Sequence, residues 1–232
     1  MFQPQTLKHF LQTEPLKEYM SEHSLQSSHI IGIPLTNAVP SAIEQDDLLL
    51  VAASKNGDQE AFAQLVQRYQ RRVFNLVYRM LQQYEEATEI TQETFLAAWQ
   101  GLPAFRGDAR FPTWLYRIAY NCSLKQLERR KRDRALQVAL EAEKILEDAN
   151  DERRENAELD THDRQVLIQE HLSHLPAKYR IVLILRHLQD MTYEEMAEIL
   201  TMPIGTIKTH LFRARNLLKE RLLSLNHESD MG

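Results

Sequence analysis

The stretch that most constrains the fold is Thr192 to Arg221, TYEEMAEILTMPIGTIKTHLFRARNLLKER, which predicts two helices joined by a tight turn. Thr192 and Glu195 have the T-x-x-E spacing of a capping box, in which hydroxyl and carboxylate each bond an unpaired backbone amide at a helix start. Pro203 has no amide hydrogen, so it is excluded from the first helix but tolerated in the first turn of the second. The stretch therefore predicts one helix from Thr192 to Leu200 and another beginning at Pro203.

The second of these helices has two chemically different faces. An apolar stripe repeats every three or four residues and must pack inward: Ile204, Ile207, Leu211, Ala214 and Leu218. The opposite face is polar and mostly basic: Thr206, Lys208, Thr209, His210, Arg213, Arg215 and Lys219. Two helices with a short connection, the second one basic, match the helix-turn-helix, whose second helix enters the major groove of DNA. A helical hairpin with a solvated basic face is the alternative on this pattern alone.

The charge distribution restricts any nucleic-acid contact to local patches. The 232 residues carry a formal net charge of −5, which argues against a uniformly basic coat. The run RRKRDR from Arg129 to Arg134 is strongly basic, whereas Glu141 to Asp163 holds ten acids. This acidic stretch lacks proline and glycine, and its composition predicts an exposed helix or a flexible tether between two domains.

Helical periodicity throughout, with little strand-like alternation, predicts an all-α class of two small helical domains. The predicted organisation is an irregular or partly disordered arm at 1–44, a first domain at 45–134, an acidic linker at 135–163, a second domain at 164–225 and a tail at 226–232. The single cysteine, Cys122, rules out an internal disulfide and is expected as a buried thiol. No apolar run approaches the roughly 20 residues that cross a bilayer, so we expect a soluble, cytoplasmic protein without membrane insertion.

The first domain combines an acidic helix with an aromatic, basic segment. The helix YEEATEITQETFLAAWQGL turns its glutamates outward, a face that is usually just solvated but also suits a basic partner helix. From Phe105 to Tyr120 the chain mixes arginines with aromatic rings predicted to be exposed. Rings stack on unpaired bases and guanidinium groups hold phosphates, so this mixture is typical of single-stranded nucleic-acid binding. For Trp114, the helical spacing with Leu115 and Ile118 favours a core position instead.

With both domains in view, the chain resembles the extracytoplasmic-function (ECF) sigma factors, the small two-domain bacterial class of RNA polymerase specificity subunits. Five blocks in family order carry the resemblance, over roughly 45–132 and 164–223: GDQEAFAQLVQRY at 57–69, ATEITQETFLAAW at 87–99, FRGDARFPTWLYRIAYN at 105–121, LPAKYRIVLILRHLQDMTYEEMAEIL at 175–200 and PIGTIKTHLFRARNLL at 203–218. The resemblance implies a sigma region 2 domain, then a region 4 helix-turn-helix domain. The implied function is a non-catalytic subunit without cofactors that directs promoter-specific initiation in response to stress or another signal.

The resemblance also implies partners and site residues. The partners are core RNA polymerase, through its β′ clamp helices and β flap, promoter DNA in duplex and single-stranded form, and an anti-sigma protein. The polymerase-binding residues are Glu89, Gln92, Glu93, Phe95 and Trp99. The residues for the minus-10 element and its melting are Arg106, Arg110, Phe111, Trp114, Arg117, Asn121, Arg129 and Arg130. The residues for the minus-35 element are Thr206, Lys208, Thr209, Phe212, Arg213 and Arg215. The family commonly has A-E-D where this chain has Ala87-Thr88-Glu89, so one acid of the docking face is missing.

Two other functions are weighed against this one. A free-standing helix-turn-helix regulator would bind duplex DNA but would not need the aromatic and arginine segment. An enzyme is rejected, because His171 and His174 lack a cysteine or clustered carboxylates to complete a metal set, Cys122 has no identifiable histidine partner, and no G-x-S-x-G occurs. Residues 1–44 fall outside the family pattern.

Overall fold

The computed structural model describes residues 42–144 and 172–229, and both ranges consist of helices, turns and short connections without strands. The helices are α1 (Ala42–Lys55), α2 (Gln59–Leu81), α3 (Tyr84–Gly101), a 3₁₀ turn (Leu102–Ala104), α4 (Phe111–Lys144), α5 (Ala177–Leu188), α6 (Tyr193–Leu200) and α7 (Ile204–Ser229). The all-α prediction is confirmed. Residues 1–41 of the predicted N-terminal arm, residues 145–163 of the predicted acidic linker and residues 164–171 of the predicted second domain lie outside the described residues.

Local signals set several helix ends in the first domain. Gly57 adopts a φ of 92°, a left-handed conformation that ends the turn after α1. The carboxylate of Asp58 then accepts hydrogen bonds from the amides of Glu60 and Ala61 at 3.0 and 3.1 Å, which caps α2. At the other end of this domain, α4 continues to Lys144, well into the predicted linker. That part of the linker is helical, one of the two conformations that its composition allowed.

The core of the first domain is the long apolar face of α2, packed against α1, α3 and α4. Asp47 on α1 is only 4% exposed, and its carboxylate accepts hydrogen bonds from Arg68 and from the hydroxyl of Tyr69. Burial, followed by this carboxylate, raises the pKa of Tyr69 far above its ordinary value. The Tyr69 ring then meets the Phe111 ring at 5.6 Å. This buried network connects α1 to the start of α4.

The second domain contains the predicted helix-turn-helix. The Thr192 hydroxyl accepts a hydrogen bond from the Glu195 amide at 3.2 Å, and a Glu195 carboxylate oxygen accepts one from the Thr192 amide at 2.8 Å. The predicted capping box is thereby confirmed. Thr201 ends α6 in a left-handed conformation, φ 55°. The Pro203 carbonyl accepts the first hydrogen bonds of α7, from the amides of Thr206 and Ile207.

The apolar stripe of α7 packs against α5 and α6, with one correction. Ile207, Leu211 and Ala214 are buried and Leu218 is half-buried, as predicted. Ile204 is exposed, however, because the stripe meets the other helices only from the second turn of α7 onward. The inward face therefore starts one turn later than the periodicity indicates.

The two domains pack directly against each other, and their apolar side chains form one continuous core. Polar side chains at the junction are paired. The guanidinium of Arg180 on α5 donates to the Met80 carbonyl in the last turn of α2 at 2.5 Å. Gln189 accepts from the Tyr116 hydroxyl at 3.0 Å and donates to the Arg72 carbonyl at 3.2 Å. These contacts hold the helix-turn-helix domain on the face formed by α2 and α4.

Candidate nucleic-acid interface

The polar face of α7 is open to solvent. Lys208, Thr209, Arg213 and Arg215 are exposed, whereas Thr206 is half-buried. The Lys208 ammonium lies 5.5 Å from the centre of the Tyr193 ring on α6, and the Thr209 hydroxyl donates to the Gly205 carbonyl at 2.9 Å. Arg215 lies 3.4 Å from the Nε2 of His187 at the end of α5. The predicted minus-35 residues therefore share one helix face.

Phe212 is the unusual member of this face. Its ring is 65% exposed on a helix face that is otherwise polar and basic, so it is available for an apolar contact. Apolar side chains recognise the methyl group of thymine, and lysine or arginine recognises guanine O6 and N7 in the major groove. The face thus offers both apolar and hydrogen-bonding contacts to base edges.

The aromatic segment of the first domain is arranged differently from the prediction. Phe111 is only 5% exposed, and Phe105, Tyr116 and Tyr120 are also buried. The expectation that these rings face solvent is wrong. The physical reason is that Phe111, Leu115 and Ala119 stand four residues apart on α4, so they form a stripe that packs inward with Phe105.

Trp114 lies at the edge of this cluster and is half-buried. Its ring is 4.8 Å from the Phe105 ring and 5.9 Å from the Phe111 ring. A Cβ atom at position 101 would approach the Trp114 indole to 3.2 Å, so Gly101 leaves the space that the indole occupies. Arg117 and Asn121 follow Trp114 on the same face of α4 and are both exposed. These three side chains form one continuous surface, which we call the α4 face.

The arginines predicted for the minus-10 element have different surroundings. Arg106 and Arg129 are exposed and pair weakly with Asp108 at 3.3 Å and Asp133 at 3.9 Å. Arg110 pairs with Glu195 of the helix-turn-helix domain. Arg130 is the most constrained.

The Arg130 guanidinium ties α4 to the end of α2 and the start of α3. It donates to Glu86 at 2.9 Å, to the Leu81 carbonyl at 2.7 Å and to Gln83 at 3.1 Å. Burial raises the pKa of Glu86, but the hydrogen bonds from Arg130 and Gln126 outweigh that effect and hold it below its usual range. The structure therefore gives Arg130 a role within the fold beside its predicted phosphate contact.

The predicted polymerase-binding residues divide between the two sides of α3. Glu89 and Glu93 are exposed and Gln92 is half-buried between them. Phe95 is buried in the core, and half-buried Trp99 packs edge-on against Phe62 with ring centres 4.9 Å apart. The outward surface of α3 is consequently acidic and polar, while Phe95 and Trp99 support it from within.

Three sets of contacts between the domains were not predicted from the sequence. One Glu195 oxygen caps α6, while the other accepts from Arg110 and, at 3.5 Å, from the Thr113 hydroxyl. Arg180 and Gln189 also join the domains. Nothing in the sequence indicated the partner of Arg180 on α2.

Among the residues that the structure describes, no set of three or more histidine, cysteine, aspartate or glutamate side chains is placed to hold a metal ion. The Cys122 thiol is buried, as predicted, and burial raises its pKa. No helix within those residues combines the length and apolar character needed to cross a bilayer.

Comparison with known proteins identifies the family. The model of sigma-70 region 2 matches residues 65–133, and that of sigma-70 region 4 matches residues 165–218. The ECF RNA polymerase sigma factor SigW of Bacillus subtilis is 35% identical over 176 residues, covering 74% of this chain and 94% of that protein. The ECF RNA polymerase sigma-E factor of Escherichia coli is 36% identical over 187 residues, covering 77% and 95%. The chain belongs to the sigma-70 family, within its ECF group.

Solved structures agree with this assignment. CnrH in complex with the cytosolic domain of CnrY aligns with a TM-score of 0.58 and 25% identity, covering 77% of this chain and 98% of CnrH. The sigma factor RpoE in complex with the anti-sigma factor NepR from Bartonella quintana aligns with a TM-score of 0.53 and 27% identity, covering 69% and 96%. The all-helical fold with its two sigma regions is thus the fold of the family, and the chain is a sigma factor directing transcription.

Proposed function

We propose a division of labour between the two domains of this sigma factor. The polar face of α7 recognises the minus-35 duplex, the α4 face engages the melted minus-10 element, and the acidic side of α3 docks on core RNA polymerase, which performs the chemistry. The observation that carries the proposal is the presence of two separate exposed surfaces, a basic recognition helix and an aromatic-arginine face. A free-standing repressor has a use for only the first.

Recognition of the minus-35 element rests on the chemistry of α7. Lys208, Thr209 and Phe212 are assigned to base edges, because they combine hydrogen-bond donors with an apolar ring on one exposed face. Arg215 and half-buried Thr206 are assigned to phosphate, a contact that positions the helix without reading sequence. Arg213 lies between these groups and is assigned to the groove.

Melting of the minus-10 element rests on the α4 face. A base that leaves the duplex loses a few kcal/mol of stacking, which a ring and a fixed guanidinium can replace. Trp114 offers a partly open ring, and Arg117 and Asn121 offer exposed polar groups beside it. Phe111 is buried and supports Trp114, with the two ring centres 5.9 Å apart. A flipped base could reach the Phe111 ring only after a local rearrangement.

Engagement of both elements requires the two domains to separate. The minus-10 and minus-35 elements are about 25 base pairs apart, which is roughly 85 Å along duplex DNA at about 3.4 Å per base pair. In the described arrangement Arg110 of the melting segment contacts Glu195, two residues from the Tyr193 ring on which Lys208 lies. The packed arrangement is therefore the form away from the promoter, and the acidic linker spans the gap when DNA is bound.

Anti-sigma control is part of the proposal. The solved structures of CnrH and RpoE hold a CnrY domain and the anti-sigma factor NepR, respectively. A comparable regulator of this chain would bind where the domains meet and keep the polymerase and promoter surfaces occupied. The β flap contact of region 4 and the clamp-helix contact through Glu89, Gln92 and Glu93 complete the proposed interactions with polymerase.

Runoff transcription with core polymerase tests the division of labour on promoters mapped after overproduction of the chain. Lys208→Ala should lower initiation at those promoters, and a minus-35 substitution in the DNA should abolish the difference between this variant and the wild type. Arg117→Ala should initiate poorly despite normal minus-35 binding. If the wild type supports no promoter-dependent initiation on any natural template, the proposed division of labour is wrong.

A further inference from the structure

A cationic cluster forms where the start of α5 meets the middle of α7. Lys178 lies in the first turn of α5, and both Lys178 and Arg213 are exposed. The Lys178 ammonium is 5.0 Å from the centre of the Tyr179 ring, and this ring meets the His210 ring edge-on at 5.4 Å. Two cations, a phenol and an imidazole from two helices therefore share one surface.

The cluster gathers like charges without an acid to balance them. Among the described residues, neither Lys178 nor Arg213 forms an ion pair with a carboxylate. Burial first, then the charges of Lys178 and Arg213, lowers the pKa of His210, so the imidazole is predominantly neutral near pH 7. Placing cations together in this way costs free energy, which a bound anion offsets.

The Tyr179 hydroxyl is influenced by the charges of Arg213 and Lys178. A hydrogen bond from Arg213, followed by the charge of Lys178, lowers the pKa of the Tyr179 hydroxyl. The N-terminal end of α5 contributes in the same direction, because Pro176 provides no side-chain cap and the helix dipole places partial positive charge there.

We infer that Lys178 and the Tyr179 hydroxyl, oriented by Arg213, bind one phosphate of the DNA backbone beside the bases that α7 reads. The inference rests on the proposed docking of α7 in the minus-35 major groove and extends the DNA surface of region 4 from α7 to the start of α5. A phosphate oxygen accepts charge-assisted hydrogen bonds from such groups. The contact fixes the angle of α7 in the groove and carries no base specificity.

The salt dependence of DNA binding tests this site. The full-length chain is titrated against a mixed-sequence duplex and a promoter duplex from 50 to 200 mM salt, alone and bound to core polymerase. Loss of one phosphate contact reduces the slope of log affinity against log salt by about 0.9. Between 50 and 200 mM salt, the loss of affinity of Lys178→Ala should therefore be about 3.5-fold smaller than the loss of affinity of the wild type. The effect should be equal on both duplexes.

Matched variants separate this site from the rest of the interface. Lys178→Arg should keep the wild-type slope, Tyr179→Phe should weaken binding on both duplexes, and Arg71→Ala, which removes an exposed charge from α2, should leave the slope unchanged. A wild-type slope for Lys178→Ala would overturn the site. If the wild type binds promoter and mixed-sequence duplexes equally while Lys178→Ala still lowers the slope, the phosphate site stands and minus-35 reading by α7 fails.

Discussion

Arg180 is the side chain on which the packing of the two domains depends most. Its side chain is 9% exposed, and its guanidinium donates to the carbonyls of Met80, Ser173 and Leu175 at 2.5, 2.6 and 3.0 Å. Burial, and then the charge of Arg130, lowers the pKa of this guanidinium. The Arg180 side chain thus provides hydrogen bonds both to a carbonyl at the end of α2 and to two carbonyls in the turn before α5.

Arg180→Met should destabilise the chain by about 3 kcal/mol. Each carbonyl left unpaired in a buried site costs about 1 to 3 kcal/mol, which gives about 3 to 9 kcal/mol for three. The lower end applies, because the substitution also removes the cost of burying a charge and because water reaches carbonyls at helix ends once the domains loosen. A loss of this size is a large part of the total stability of a typical domain.

Urea unfolding of the full-length chain, followed by circular dichroism, measures this change. Arg117→Met is the matched control, because the same substitution at an exposed site on α4 should change the free energy of unfolding by less than about 0.5 kcal/mol. Arg180→Lys should recover only part of the loss, since an ammonium lacks the fork that reaches three carbonyls. A cost below about 1 kcal/mol for Arg180→Met would refute the reasoning that this residue joins the domains.

Three further predictions concern separate contacts. Glu195→Gln keeps the capping box, which accepts glutamine, but removes the ion pair with Arg110. Distances measured between spin labels on α3 and α7 should therefore lengthen. An unchanged distance distribution would contradict the role of this ion pair in holding the two domains together. Gly101→Ala places a Cβ 3.2 Å from the Trp114 indole, so the indole must shift and the tryptophan fluorescence should change. An unaltered spectrum would show that the indole does not need this space. Glu86 has a lowered pKa in the folded state, so its stabilising effect is present above the ordinary pKa of about 4.3 and is lost as pH falls through the lowered value. Glu86→Gln should therefore flatten the decline in the free energy of unfolding between about pH 5 and 3. An identical decline in the variant would show that Glu86 does not contribute to this pH dependence.

The sequence was sufficient where the signals are local. The capping box at Thr192 and the proline start of α7 are each set by a few neighbouring residues, and both lie as predicted. The helix-turn-helix and its basic face follow from them. Capping and backbone conformation depend little on the rest of the fold, which is why these features could be predicted.

Features that depend on tertiary packing could not be predicted in the same way. The ring of Phe111 stands among arginines in the sequence, and only the packing of α2 against α4 buries it beside Tyr69. The pairing of Arg110 with Glu195 joins residues 85 positions apart, so no periodicity can indicate it. Trp114, Arg117 and Asn121 of the α4 face were named by resemblance to the family, and their separation from the buried rings required the structure.

Promoter opening measured by permanganate reactivity tests the central claim most directly. The wild-type chain with core polymerase should make thymines of the minus-10 region reactive at its mapped promoters. Arg117→Ala combined with Asn121→Ala, both at exposed positions, should bind the same promoters with unchanged minus-35 protection but reduced reactivity. Full reactivity in this double variant would contradict the assignment of melting to the α4 face.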